Sequence, residues 1–166
     1  TERPLAGLLA AGCSTRPRGA GLAAYRRVAA VIARLPDGGR RLNDALARVA
    51  LPSQARADLA EGGMEMGVMA TALAEVGTID PIADLRSLGR LPVWLVNGRW
   101  DHFRVEERRF LAACENATLH VVPGANHMVS LSRSAAFNEI LLAFVDRLRL
   151  DRPGRPDLSG PGAGSG

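Results

Sequence analysis

Two short apolar runs, Pro92-Val-Trp-Leu-Val-Asn97 and Thr118-Leu-His-Val-Val122, constrain this chain more than anything else in it. Both are rich in β-branched and aromatic residues and are bounded by turn signals, which is how buried strands read. The first stops at Gly98-Arg-Trp-Asp101, the second at Pro123-Gly-Ala-Asn-His127. Helical patterns follow each, over Val105–Ala113 and Ser130–Leu148. Strand, helix, strand, helix with short links is the order of βαβ units, which require a parallel sheet and right-handed crossovers. An α/β fold is expected.

Upstream, residues 5–11 (Leu-Ala-Gly-Leu-Leu-Ala-Ala) form a third apolar run, closed by Gly12 and read as a strand buried on both faces. Residues 13–21 are rich in Gly, Pro and Arg and read as a loop. Helical sequence then continues to about Leu88. It comprises Leu22–Leu35, Arg41–Ala50, a segment capped by Ser53 and running to Gly62-Gly63, Met64–Val76, and a short helix opened by Asp80-Pro81. The expected organisation is a core strand in 1–12, a helical insertion over 13–88, and the rest of the core over 89–149. Residues 150–166 hold too little apolar content to fold and read as a disordered tail.

Composition narrows the function classes. The net charge is +4, all of it carried by arginines scattered along helical segments, and aromatics are only 4%. A nucleic-acid surface would cluster the charge and interleave rings, so no nucleic-acid partner is expected. No run approaches the ~20 apolar residues of a membrane span, and no membrane partner is expected. Cys13 and Cys114 have no CxxC partner, which argues against structural zinc and for free thiols in a reducing, cytoplasmic compartment. Leu9-Ala-Ala-Gly-Cys13 resembles a lipoprotein cleavage box. The apolar stretch before it is short, however, and Glu2 stands where a basic region belongs. Asn116-Ala-Thr118 matches a glycosylation acceptor without a secretory context.

In open parallel sheets, functional groups collect at the carboxyl ends of the strands. Asp101 and His127 each lie just past such an end. If the strands are neighbours, about 5 Å apart, the two side chains can converge. A carboxylate that accepts from one ring nitrogen fixes the tautomer and leaves the other to take a proton from a nucleophile. Metal ligation by Asp101, His102, His120 and His127 lacks any short ligand spacing. His102 reads as a loop residue, and His120 as a strand residue that packs or meets solvent.

These residues, in this order, resemble the C-terminal half of an α/β-hydrolase-fold protein. The likeness rests on Pro92–Asp101 as strand and acid turn, on Val121-Val-Pro-Gly-Ala-Asn-His127 as strand and histidine turn, and on Ser130–Leu148 as the closing helix. Thr78–Leu85 resembles the segment entering the acid-bearing strand, and Leu5–Gly12 the strand after the nucleophile helix. The resemblance implies a partial parallel sheet of about three strands with a helical cap over roughly 20–88. It implies Asp101 as triad acid, His127 as general base, a small-molecule substrate and no cofactor. Met64, Met66 and Met69 in the cap, with Trp100 beside the acid, are then candidates to touch substrate.

The family's G-x-S-x-G elbow does not occur here. Gly63-Met-Glu-Met-Gly67 has the spacing but not the nucleophile, and Ser14 and Thr15 lack the glycine frame. The nucleophile is therefore expected in an N-terminal half outside this chain, which would be its partner. The isolated piece, with an apolar strand edge at Leu5–Ala11, is expected to be poorly soluble or oligomeric and inactive as an esterase. The rival readings are a non-catalytic binding protein of the same fold and a small lipid-anchored protein attached through Cys13.

Overall fold

Three parallel strands, β1 (Leu8–Ala11), β2 (Val93–Gly98) and β3 (Ala117–Val122), lie in the order β1-β2-β3. Leu8 pairs with Val93 and Val93 with Ala117, so the strands start level and end within a residue or two of each other. The computed structural model describes residues 5–62 and 68–150. Between β1 and β2 run α1 (Gly19–Ala33), α2 (Arg40–Ala50), α3 (Ser53–Gly62), α4 (Met69–Val76) and α5 (Pro81–Ser87). α6 (Glu107–Ala113) crosses from β2 to β3, and α7 (Val129–Ser132) and α8 (Ser134–Leu150) follow. Among the described residues, no helix is long and apolar enough to cross a membrane.

β2 is the centre of the sheet, and this explains its unbroken apolar sequence: Val93, Leu95 and Val96 are each at 0% exposure. The pleat sends alternate residues to opposite faces. Val93 and Leu95 pack with Ile82 and Leu85 of α5 and Phe110 and Ala113 of α6. Val96 packs with Val122, Ala125 and Val129, backed by Phe137 and Ile140 of α8. Trp94 also points that way, its ring 5.2 Å from Phe144. The result is three layers, helix, sheet and helix. Each fully buried aliphatic side chain contributes roughly 1.5–3 kcal/mol to holding them together.

Several local expectations change. β1 is half-buried rather than covered on both faces, because among the described residues it pairs with β2 only. α1 starts at Gly19, inside the stretch read as loop, since glycine costs little in a first turn where the N–H lacks a helical partner. Ser53 is the first residue of α3 instead of its cap, and Arg56 N–H already reaches the Pro52 carbonyl at 3.1 Å. The single long helix expected over Ser130–Leu148 is two. Arg133 leaves helical geometry (φ −143°, ψ 55°), and buried Ser132 accepts from Asn126 N–H at 3.4 Å, tying α7 to the preceding turn. Asp80 does cap α5, accepting from Ala83 N–H at 3.3 Å with Pro81 in the first turn. The expected disordered tail and the Gly63–Gly67 segment lie outside the described residues, apart from Leu150, which ends α8.

Candidate active site

β2 and β3 end side by side, and their turns are stitched backbone to backbone. Arg99 N–H donates to Val122 O and Trp100 N–H to Ala125 O, both at 2.9 Å. This is possible because residue 98 is glycine. A Cβ there would stand 2.6 Å from Ala125 O and closer still to Asn126 O, where no side chain fits. The stitching carries Asp101 beneath His127. The Asp101 side chain is wholly buried, the His127 side chain is 41% exposed, and Oδ1 lies 3.4 Å from Nδ1.

Asp101 Oδ1 accepts the Phe103 N–H at 2.7 Å, whereas Oδ2 and His127 Nδ1 have no hydrogen-bond partner. At 3.4 Å and off line, the two groups are in contact without a formed hydrogen bond, and a small turn of the ring completes it. The arrangement favours that bond, because a buried carboxylate is costly unless paired. Gly12, at the end of β1, presses on the other side of the ring. It has φ +64°, and a Cβ there would meet His127 O at 2.7 Å and Nδ1 at 3.0 Å.

The segment after β1 clamps the acid turn from below. Buried Ser14 donates through Oγ to Asn97 Oδ1 at 3.2 Å, and Asn97 Nδ2 reaches Ser14 Oγ at 3.0 Å and Glu107 Oε2 at 3.2 Å. Glu106 N–H donates to Ser14 O, and the Thr15 hydroxyl donates to Phe103 O. Arg16 grips Glu106 with its backbone N–H at 2.8 Å, its Nε at 2.8 Å and its Nη2 at 2.7 Å. These bonds from Arg16 hold the Glu106 carboxyl below its usual range, and Arg104 does the same to Glu107. The network explains why Asn97 can sit at 0% exposure, since each of its amide atoms has a partner.

His127 opens onto a cavity of about 520 Å³ roofed by α1 and α4. One wall is a run of rings. Tyr25 of α1 lies parallel to His102 (6.2 Å, 7°) and 5.3 Å from Phe103, and Phe103 meets His127 edge-on at 4.5 Å. His102, read from sequence as an ordinary loop residue, lines this cavity with its ring 5.7 Å from His127. Tyr25 carried no motif at all; only its helical register could have marked it. Cys13 is solvent-exposed by surface yet crowded at its sulfur, and burial first, then the Asp101 charge, raises its thiol above the ordinary value. Such a thiol stays protonated and is a poor nucleophile at neutral pH.

The other substrate candidates do not gather here. Trp100 is 74% exposed and outside the cavity wall, because its backbone N–H is spent on Ala125 O and its side chain faces solvent. Met69 opens α4, while Met64 and Met66 lie outside the described residues. His120 packs on Trp94 at 4.3 Å, on the face that carries α8, with Nε2 unpartnered. Its desolvation lowers its pKa. Among the described residues no cluster of three His, Cys, Asp or Glu could hold a metal. Leu8–Ala11, which a lipoprotein reading would assign to a cleaved leader, are built into the sheet.

No family model and no curated protein matches this chain. Solved structures do. The MenH protein of S. aureus superposes with a TM-score of 0.68 at 16% identity, over 88% of this chain and 60% of that one. A thermophilic esterase from Thermogutta terrifontis gives 0.65 at 18%, over 87% and 57%. A hydrolase from Pseudomonas aeruginosa PA01 gives 0.63 at 19%, over 84% and 55%. The chain thus spans somewhat more than half the length of each. At these identities the likeness establishes architecture.

Proposed function

Because this chain has an α/β-hydrolase fold, we propose that it carries the acid and base of a hydrolase acting on small ester or acyl substrates. His127 is the general base, Asp101 orients it, and the nucleophile comes from a segment outside these 166 residues. One observation carries the reading: a carboxylate with no solvent exposure lies 3.4 Å from an imidazole open to a 520 Å³ cavity. The hydroxyls nearby support an external nucleophile, since Ser14 is engaged by Asn97 and Thr15 by the Phe103 carbonyl. The helices α1–α4 would serve as a cap that shapes the cavity.

In this mechanism His127 Nε2 takes the nucleophile's proton as that atom bonds the substrate carbonyl carbon. The Nδ1–H of the resulting imidazolium faces Asp101, which stabilises it without taking the proton. The proton then passes to the leaving group as its bond to the acyl carbon breaks. A water deprotonated by His127 afterwards releases the acid and restores the nucleophile. The three solved structures named above include an esterase and a hydrolase by title, which agrees with this chemistry.

The test is hydrolysis of p-nitrophenyl butyrate by the protein in its complete length. His127→Ala and Asp101→Asn are each expected to lower kcat/KM by on the order of 10²–10⁴-fold. Turnover within about twofold of the unaltered protein in both variants, against that expectation, would remove the basis of the reading.

A further inference from the structure

We infer that the cavity beside His127 selects an uncharged substrate bearing a flat, ring-sized apolar group, and that Tyr25 is the side chain that selects it. The hydrolase reading is needed only to call the occupant a substrate. At about 520 Å³ the cavity has room for a ring and a short chain, since an apolar cavity of about 150 Å³ already admits benzene. Leu22, Val76 and Ile79 supply aliphatic surface opposite the rings of Tyr25, His102 and Phe103. Those rings form a continuous path from α1 to the imidazole, at centroid separations of 6.2, 4.1 and 4.5 Å. A ligand ring set against this wall extends the same offset and edge-on contacts, while a flexible chain of equal area does not.

The charges around the cavity are already satisfied. Arg16 is bonded to Glu106 at 2.7 Å and Arg18 to Asp80 at 2.9 Å, so neither guanidinium is left to receive a carboxylate. Buried Asp101 adds negative charge behind His127. That charge is felt on the cavity wall: the Tyr25 phenol and the Cys13 thiol are both raised, by burial first and by Asp101 second. An anionic ligand would meet the same opposition. A cationic one would have to shed its water beside the two arginines, with no carboxylate on the wall to replace it. Tyr25 is decisive because it belongs to α1 and is 43% exposed, so truncation leaves the sheet and the Asp101–His127 contact in place.

The test is a binding titration of the full chain followed by ring signals in NMR, with Tyr25 the sole tyrosine and three histidines to watch. Four probes are compared: methyl phenylacetate, phenylacetate, 2-phenylethylammonium and methyl hexanoate. Methyl phenylacetate is expected to move the Tyr25, His102 and His127 signals and to leave His120 still. Both charged probes should bind about tenfold more weakly or worse, a difference of the size that lost ring contacts and desolvation produce. Tyr25→Ala should weaken methyl phenylacetate about tenfold and methyl hexanoate less than about twofold, and Tyr25→Phe should restore the aromatic preference. An unmoved His120 signal in each variant shows that the sheet is intact.

Equal or tighter binding of either charged probe, or equal losses for both esters in Tyr25→Ala, would overturn the inference. Binding with the stated preferences but no turnover in the complete protein would refute the hydrolase reading and leave the cavity's selectivity standing.

Discussion

At the end of the sheet, Asn97 and Ala125 are at 0% exposure, Asp101 is at 4%, and the two turns exchange backbone hydrogen bonds. In α1 and α2 no residue is buried, and Tyr25, Val28, Val31, Leu42, Leu46 and Val49 are all exposed. One region holds atoms in place by removing every alternative position. The other presents apolar surface with few internal contacts, which is the profile of a low-stability, adaptable element. The division suits a site in which the sheet fixes where the chemistry happens and the helices decide what reaches it. Asn126 bridges the two, with Nδ2 on Ala50 O at 2.8 Å, one residue from His127.

The contrast can be broken most sharply with two glycines. Gly98→Ala would drive a methyl group into the Ala125 and Asn126 carbonyls, whereas Gly21 has nothing within 4 Å. The first should cost about 3 kcal/mol or more, because backbone cannot rotate out of the way as a side chain can. Gly21→Ala should be neutral or stabilising by about 0.5–1 kcal/mol from helix propensity. Urea titrations of both variants, with circular dichroism as the readout, check this; a similar midpoint shift in the two would erase the distinction.

Next in size is a pair of leucines. Leu95→Ala, at 0% exposure, should lose about 2–5 kcal/mol. Leu46→Ala, at 58%, should stay within about 0.5 kcal/mol. Smaller again are the two arginine pairs. Arg16→Ala should cost about 1–2 kcal/mol, since it removes two charge-assisted bonds to a carboxylate that is only 23% exposed. Arg18→Ala should cost under about 1 kcal/mol, because its pair with Asp80 is half in solvent.

The smallest effect is a pH dependence. His120 has its folded-state pKa lowered by desolvation, so the unfolded chain binds the proton more readily. Above the unfolded value of about 6.5 the group costs nothing. As pH falls through that value, stability drops until the folded-state pKa is passed. Thermal melts between pH 7.5 and 5, those endpoints lying about one unit or more either side of the ordinary histidine value, should therefore show a decline that His120→Phe reduces. A slope unchanged by the substitution would assign the decline to other groups.

How much of this was legible in the sequence follows the same division. β2 and β3, their helices and the two glycine turns could be read directly. A central strand must be apolar on both faces, and a turn after it must spend residues such as Gly98 and Gly124 to bring a side chain back over the sheet end. β1 was placed correctly, but its burial was overstated, since a run of Leu and Ala looks the same whether it has one neighbour or two. The break at Arg133 was invisible because it depends on Ser132 reaching Asn126, a contact the helical period does not encode. Tyr25, His102 and Phe103 were missed as a wall for a related reason. They come from two distant segments, and nothing in either pattern says that the segments meet. Trp100 misled in the opposite sense: a large ring next to the acid in sequence is turned away from it in space.

The central claim, that Asp101 and His127 act as one unit, is tested most directly by a double-mutant cycle on kcat/KM for the complete protein. Asp101→Asn, His127→Ala and the pair are compared with the unaltered enzyme. If the carboxylate works only through the imidazole, the double variant should be no slower than His127→Ala alone, because residues that act together lose activity non-additively. Losses that multiply would contradict this, leaving the 3.4 Å approach of the two side chains a matter of packing and not of catalysis.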